Sequence, residues 1–463
     1  MGEELTKILA KHVTAVNYID LPEDVIDRAK QIILDFFGVA LAGSSARGVR
    51  ELVDTAKCLG GKGGCKLIAY GDRLGPTAAA LVNGAMAHAL DFDDTHDLAH
   101  LHSSVCVLPS ALAAAELVNA SGKEFITAFV LGSDLQCRLS LAVEDHTSSK
   151  YGWAYTTTTG VFGAAAAAAK MLGLDEEKTL NSLGIAYCEA SGNAQPLIEG
   201  TLAKRIQPGF AAQKGLQAAM IAKRGITGPQ KALEGERGFY RVYFRGEYLP
   251  EKLTDRLGQT FEVMNLSLKP YPSCRCTHAI IDALTEIKRD YSISAEEIDH
   301  IYLGLTRTCH RLIYEPPEHK YVPRNTIDAQ FSAPYTAACA ILYGKVSLEH
   351  FTNTAIASRE VLDLARKVRA EVDEEAMMLG RKIGNMVTIA RVFTKNGRTY
   401  ERLIEKPKGH YENPMTKEEI KDKFEMCARS AIKPIERKVL DEILKMVDNL
   451  ETIRNMNDFM KLI

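Results

Sequence analysis

The 463-residue sequence predicts a mainly α-helical protein with a large all-helical domain and a smaller α+β domain. In residues 1–265 apolar positions recur at helical spacing and strand-like alternation is sparse. In residues 266–408 alternating segments stand between helical ones. Residues 409–463 are again helical and highly charged, and we expect this tail to join the first domain. The length itself suits two domains.

Proline and glycine mark the expected helix boundaries in the first domain. Pro22 lies near the start of a helix that closes at Gly43, and Pro76 precedes another helix with a cluster of histidine and aspartate at its end. Pro109 is expected to start a further helix. A later helix is expected at 210–223, directly after a glycine. These short helices predict an α-bundle.

The second domain combines strand and helix signals. Asp299–Thr308 alternates as a strand does. The segments Met386–Thr394 and Thr399–Ile404 predict a hairpin, and the Asn-Gly pair between them predicts a type I′ turn. Ala329–Tyr343 is expected to form one of the helices between the strands.

Composition narrows the classes of function. Lys and Arg number 57 against 59 Asp and Glu, so no basic excess indicates nucleic acid or an anionic membrane as partner. No apolar run approaches the roughly 18–20 residues that span a bilayer, and the N-terminus lacks the pattern of a signal peptide. The ten cysteines are scattered without disulfide or zinc spacing, so we expect reduced thiols in a cytoplasmic protein.

The segment His88–His102, HALDFDDTHDLAHLH, concentrates four histidines and four aspartates. Asp93–Asp97 fits the DDxxD pattern that holds magnesium on a diphosphate, but no second acidic motif of comparable quality accompanies it. His96 and His100 stand four apart, as metal ligands on one helix face would, although the residues before them favour a turn. The third interpretation is a solvated helix cap, and the fourth is a metal-free proton-handling site.

Three other stretches favour a binding pocket. Lys204 and Arg205 precede a glycine-led helix, where cationic side chains and free helix N–H groups suit a carboxylate. Lys269 and Arg275 lie in a loop that two prolines stiffen, also before a helix. Residues 151–160 form a hydroxyl-rich stretch with the single tryptophan, which we expect to be a loop. Together with the acidic cluster, these stretches predict a pocket for a small polycarboxylate.

Six blocks of the sequence resemble the MmgE/PrpD family, which includes 2-methylcitrate dehydratase, cis-aconitate decarboxylase and iminodisuccinate epimerase. They are HALDFDDTH with HSSVCVLPSALAAAE, GVFGAAAAAAKMLGL, EGTLAKRIQPGFAAQKGLQAA, KPYPSCRCTHAIIDAL and DAQFSAPY, and they cover most of the chain in order. The resemblance implies an all-helical domain, an α+β lid domain, a pocket between them and a homodimer. It also implies chemistry without a metal or an organic cofactor.

The resemblance assigns roles to individual residues. Asp91, His102 and Lys269 match motif positions and are expected to be catalytic, while Thr95 and Lys204 also match and are expected to bind substrate. Arg275 shares the loop of Lys269, and a guanidinium there can bind a carboxylate through two hydrogen bonds.

Two departures from the family pattern affect the expected reaction. Ala154 stands where many members have a histidine, and Cys274 stands where the decarboxylase-like pattern has another. Losing both imidazoles puts cis-aconitate decarboxylation in doubt. Tyr151 and Tyr155, which flank the first of these positions, become candidates to bind substrate and to transfer a proton, respectively.

The predicted chemistry is proton abstraction beside a carboxylate, which cations assist by stabilising the developing negative charge. For a dehydratase, the preferred prediction, Lys269 is the base and His102 or Tyr155 the acid, while Arg275, Lys204 and Thr95 bind carboxylates. The alternative is an epimerase of a dicarboxylate with a lysine–tyrosine pair. A cis-aconitate-type decarboxylase and a binding protein without catalysis are the less favoured readings.

Overall fold

The computed structural model describes residues 4–143, 152–383 and 386–463. In chain order its α-helices are α1 Leu5–Ala15, α2 Glu23–Gly43, α3 Val49–Gly60, α4 Pro76–His88, α5 Ser104–Val118, α6 Gly122–Leu141, α7 Tyr155–Met171, α8 Glu176–Cys188, α9 Gln195–Glu199, α10 Ala203–Lys223, α11 Phe239–Phe244, α12 Glu251–Thr254, α13 His278–Tyr291, α14 Arg307–Ile313, α15 Pro317–Tyr321, α16 Thr326–Gln330, α17 Ala333–Tyr343, α18 Arg359–Ala365, α19 Glu374–Ile383, α20 Lys417–Arg429, α21 Arg437–Asp448 and α22 Met456–Met460.

The strands are β1 Lys62–Lys66, β2 Arg73–Leu74, β3 Thr95–His96, β4 Leu266–Ser267, β5 Ile298–Leu305, β6 Val368–Val372, β7 Thr388–Thr394 and β8 Thr399–Ile404. Helices therefore dominate, and the predicted mainly α fold class is confirmed. No helix of the described ranges is long and apolar enough to cross a membrane.

The chain divides into two compact units. As far as they are described, Met1–Ile198, Leu202–Leu266 and Thr416–Ile463 make up the first unit. The second unit comprises Glu199–Thr201 and Ser267–Met415.

The core of the first unit is built around α7 and α10, which pack on each other and on α4, α5 and α6. Small residues let these helices approach closely. A Cβ on Gly132 of α6 would lie 2.6 Å from the carbonyl oxygen of Gly163 in α7, and a Cβ on Gly163 would meet Gly132 in the same way. A larger residue at either position would therefore push the two helices apart.

The second unit contains a four-stranded sheet in the order β6-β5-β7-β8. Strands β5 and β6 are parallel, and the other two pairs are antiparallel. Leu303 pairs with Ala390 and Ile301 with Val392, all four buried. Helix α13 packs against β7 and β8, and α17 packs against α13 and β6. The hairpin predicted at residues 386–404 is confirmed.

Three predicted helix starts are wrong. Pro109 lies inside α5, which begins five residues earlier at Ser104. The helix expected from 210 begins at Ala203 and contains Pro208, so Lys204 and Arg205 lie in its first turn. The helix expected over 329–343 is interrupted before α17, where a serine side chain caps the new helix. Pro109 and Pro208 are each the sixth residue of their helix, beyond the first four whose N–H groups lack helical partners, so each removes one main-chain hydrogen bond from its helix.

Two loop predictions also differ from the structure. The type I′ turn is wrong because only Gly397 of the Asn-Gly pair has a positive φ, of 82°. The Gly397 N–H instead donates to Thr394, and four residues separate the strands. The hydroxyl-rich stretch is helical from Tyr155 onward, because α7 begins there.

Candidate active site

A buried carboxylate joins two histidines just beyond the end of α4. Asp93 Oδ2 lies 2.8 Å from His88 Nδ1 and 3.0 Å from His102 Nδ1. The two rings pack edge to face with centroids 5.0 Å apart. His88 and Asp93 are buried, whereas the His102 side chain is 20% exposed. His102 is therefore the member of this cluster that a bound molecule can reach.

Burial and neighbouring charges set the protonation of the cluster. Burial, and then the Lys204 cation, lower the pKa of His88 to about 4, so its ring is neutral near pH 7. Burial alone would raise the pKa of Asp93, but the two imidazoles outweigh it and hold that pKa well below its usual value. The cluster thus contains an ionised carboxylate beside a neutral His88.

The same three residues could be considered as metal ligands, since their donor atoms lie within 4.8 Å of one another. However, His102 Nδ1 also lies 2.6 Å from the main-chain oxygen of Asp94. A carbonyl oxygen only accepts, so this nitrogen carries a hydrogen and offers no lone pair to a metal. The described geometry is that of a hydrogen-bonded proton site, and the absence of a metal stays a prediction.

An ion pair stands beside this cluster. Asp91 follows α4 with a φ of 52°, a conformation that aspartate adopts more readily than most residues. Its carboxylate lies 2.5 Å from Lys204 Nζ in the first turn of α10, and α10 packs along α4. Arg205, expected to act with Lys204, is buried and donates to the carbonyl oxygen of Arg47. Helix packing therefore selects Lys204 as the cation next to Asp91.

Two other members of the His88–His102 segment shape the backbone. The Asp94 carboxylate accepts the N–H groups of Ser103 and Ser104 at 3.1 and 3.2 Å and so caps α5. His96 Nδ1 accepts the Ala99 N–H at 3.1 Å, and its Nε2 donates to Glu262 at 3.0 Å. With both ring nitrogens engaged, His96 holds the turn.

Thr95, the remaining site residue of this segment, opens β3 and is buried.

The first turn of α7 reaches the His102 backbone. Thr156 Oγ1 accepts the His102 N–H at 3.0 Å. Tyr155 precedes it, 2% exposed, with its ring 5.9 Å from that of Phe244. Tyr151, predicted to bind substrate, lies outside the described residues.

In the second unit, Lys269 and Arg275 share one buried loop, as the sequence predicts. Arg275 donates to the carbonyl oxygen of Lys408 at 3.2 Å. Tyr271 donates to Asp282 on α13 at 2.6 Å, and the other Asp282 oxygen accepts the Lys408 N–H at 2.6 Å. These bonds, added to the two prolines, hold the Arg275 side chain in place.

Two sequence blocks of the second unit meet at Cys274. Its N–H donates to the carbonyl oxygen of Gln330 at 2.9 Å, and the Gln330 amide donates to Pro272 at 3.1 Å. Lys320 is buried nearby and donates to the next carbonyl oxygen, that of Phe331, at 2.8 Å. Hydrogen bonds to residues 328–335 therefore fix the position of Cys274 within the loop of residues 269–278.

Within the first unit, His102 contacts Asp93, and the Lys204 cation that pairs with Asp91 acts on His88. The sequence patterns assign no role to His88 or Asp93. His88 and Asp93 were visible in the quoted segment. A spacing of five residues across the end of a helix does not reveal which carboxylate will meet which ring.

Comparison with known proteins matches both parts of the chain. The model of the MmgE/PrpD N-terminal domain matches residues 7–252, and that of the C-terminal domain matches residues 271–449. A cis-aconitate decarboxylase-like protein, oryM, of Aspergillus oryzae is 30% identical over 99% of this chain and 97% of its own. Human cis-aconitate decarboxylase is 27% identical over 98% and 93%. The 2-methylcitrate dehydratase of Escherichia coli is 24% identical over 73% and 72%.

Proposed function

Because the chain belongs to the MmgE/PrpD family, we propose that it is a lyase of a small di- or tricarboxylate that works by proton transfer beside a carboxylate. Its relatives named cis-aconitate decarboxylase and 2-methylcitrate dehydratase support a lyase of this substrate class. Dehydration is the reaction that we propose first.

The observation that carries this proposal is the pairing of His102 with Asp93 beside the Lys204–Asp91 ion pair. Removing a proton next to a carboxylate creates a second negative charge, and a desolvated cation lowers that barrier. One well-placed donor contributes about 3 kcal/mol. A partly exposed imidazole against a buried carboxylate is a group that can receive or give a proton.

In the proposed dehydration, Lys269 takes the proton from carbon, the C–O bond breaks, and a C=C bond forms as water leaves. The charged ring of His102 donates its Nε2 proton to the departing hydroxyl group and becomes neutral. We assign this step to His102 rather than Tyr155, since the tyrosine ring is buried against Phe244. Lys204, Arg275 and Thr95 bind the substrate carboxylates, with Tyr151 as a further candidate. Asp91 orients the Lys204 ammonium.

Decarboxylation is the second candidate, and the comparisons favour it. Decarboxylases are 25–30% identical over 94–100% of the chain, a larger share than the dehydratase match covers. Dehydration is favoured by Cys274, which stands where the decarboxylase-like pattern has a histidine, together with Ala154, which stands where many members of the family have one. Ala154 lies at the start of α7, and Cys274 is buried in the Lys269 loop.

Product analysis tests the proposal. The purified protein is incubated with citrate, 2-methylcitrate and cis-aconitate, and alkene absorbance and released carbon dioxide are measured. We expect alkene from a hydroxyacid without carbon dioxide, and loss of this activity in His102→Gln. His300→Gln, whose side chain is 44% exposed in the second unit, should retain it. Carbon dioxide release would replace dehydration by decarboxylation, and neither product would refute a lyase of these substrates.

A further inference from the structure

The hydrogen bonds of His102 determine which of its nitrogens carries the hydrogen. Nδ1 faces two acceptors, the Asp93 carboxylate at 3.0 Å and the Asp94 carbonyl oxygen at 2.6 Å. Neither can donate, so the hydrogen of a neutral His102 ring stays on Nδ1 and Nε2 keeps its lone pair. The ring is thereby arranged to exchange protons through Nε2.

The Asp93 carboxylate is buried, and its two oxygens differ in their contacts. Its Oδ2 oxygen accepts from His88 and lies 3.0 Å from His102 Nδ1, while Oδ1 has no hydrogen-bond partner among the described residues. His88 is neutral, so it gives Asp93 a hydrogen bond but no positive charge. A positive charge on His102 would therefore stabilise this buried carboxylate more than the neutral ring does.

We propose that Asp93 is a positioning residue, which holds His102 with its hydrogen on Nδ1 and stabilises the ring when it becomes charged. His88 holds the same Asp93 oxygen from the other side, so that the carboxylate cannot turn away. This inference rests on the proposed function, in which His102 transfers the proton.

Other charged groups face the pair. Asp94 is committed to the start of α5, where burial and the charge of Asp93 raise its pKa. Lys204 is paired with Asp91. Since these groups have other partners, Asp93 is the carboxylate placed to act on the ring of His102.

The first test needs no turnover. In protein labelled with ¹⁵N-histidine, the ring nitrogens of His102 are assigned by comparison with His102→Gln and measured at alkaline pH. The proposal predicts hydrogen on Nδ1 and a bare Nε2. A hydrogen on Nε2 would overturn it, whether or not the protein proves to be a lyase and whether or not any Asp93 variant folds.

The second test is kinetic. Asp93→Asn keeps the size of the side chain and removes its charge, and we expect kcat to fall at least 100-fold with KM changed less than threefold. An aspartate-to-asparagine change behind a catalytic histidine is known to act in this manner. The control is Asp134→Asn, since Asp134 is equally buried and accepts from Arg138 without touching His102. The control should keep kcat within threefold.

The outcomes separate the two proposals. Wild-type protein without turnover on any candidate acid would refute the lyase, while a hydrogen on Nε2 would by itself refute the positioning role of Asp93. Wild-type turnover with kcat of Asp93→Asn within threefold would refute the positioning role alone. An equal loss in Asp134→Asn would show a general effect of buried charge and would also refute it.

Discussion

Lys423 links the C-terminal tail to the histidine–aspartate segment, and replacing it should lower the free energy of unfolding. This buried residue of α20 lies 2.5 Å from Asp35 Oδ1 on α2. Its Nζ also donates to the carbonyl oxygen of Phe92 at 2.7 Å and lies 4.1 Å from the Phe92 ring centroid. Lys423→Met keeps the length of the side chain and leaves the Asp35 carboxylate buried and unpaired.

Breaking a buried ion pair from one side costs about 3–5 kcal/mol. Burial, opposed by Lys423, already raises the pKa of Asp35 to about 6. Without the lysine this folded-state pKa rises further above the unfolded value. The stability contribution is then present at low pH and lost as pH rises through the new pKa. We therefore expect the cost of Lys423→Met to reach its full size at pH 8 and to be smaller at pH 5.

Urea unfolding followed by circular dichroism measures this cost. Lys421→Met is the matched control, because Lys421 is exposed on the same helix and should change stability by less than about 0.5 kcal/mol. The double variant Asp35→Leu/Lys423→Met should regain at least half of the loss, since neither charge of the pair is left buried without the other. A cost below about 1 kcal/mol at pH 8, or a double variant no more stable than Lys423→Met, would refute the reasoning.

Three further predictions concern packing, pH and reaction choice. In Gly43→Ala the new Cβ would lie 1.9 Å from a main-chain oxygen of α4. Urea unfolding should therefore show that the free energy of unfolding falls by at least about 2 kcal/mol. Gly64→Ala is the control, because space is open there and the free energy should change by less than about 0.5 kcal/mol. Burial raises the pKa of Glu116 from 4.5 to about 7, so the folded protein prefers the protonated carboxyl group. The stability that this preference contributes is present below pH 4.5 and is lost as pH rises through 7. Between pH 5 and 8 the free energy of unfolding of wild type should fall by up to about 3 kcal/mol relative to that of Glu116→Gln. Parallel curves of unfolding free energy against pH would contradict this. Ala154→His combined with Cys274→His should raise carbon dioxide release at least tenfold relative to dehydration, whereas an equal fall of both rates would show that these positions do not select the reaction.

Much of the fold could be predicted from local patterns, because helix spacing and strand alternation depend on neighbouring residues. The failure at Pro109 has a tertiary cause. Pro109 has the pattern of a helix start, but α5 begins five residues before it at Ser104, where the Asp94 carboxylate caps the helix. A carboxylate ten residues from the amide that it caps is a tertiary contact, and local rules do not detect it.

The candidate site was predictable as a set of residue types but not as an arrangement. The sequence singled out Asp91, Lys204 and His102 through a family resemblance, and the first unit brings them around His88 and Asp93. Which histidine stays reachable depends on burial, which separates His102 from His88 although both lie in one short segment. This difference in burial follows from how α4, α7 and α10 pack, which a pattern along the chain does not reveal.

Proton NMR in deuterium oxide tests the central claim, proton transfer beside a carboxylate, most directly. Wild type, Lys269→Ala and Lys395→Ala are compared with 2-methylcitrate, citrate, cis-aconitate and iminodisuccinate, Lys395 being an exposed lysine of the same unit. We predict that wild type and Lys395→Ala lose an α-proton signal and gain an alkene signal with one of these acids, and that Lys269→Ala does neither. Exchange without an alkene would identify an epimerase. No exchange in wild type, or full exchange in Lys269→Ala, would contradict the account.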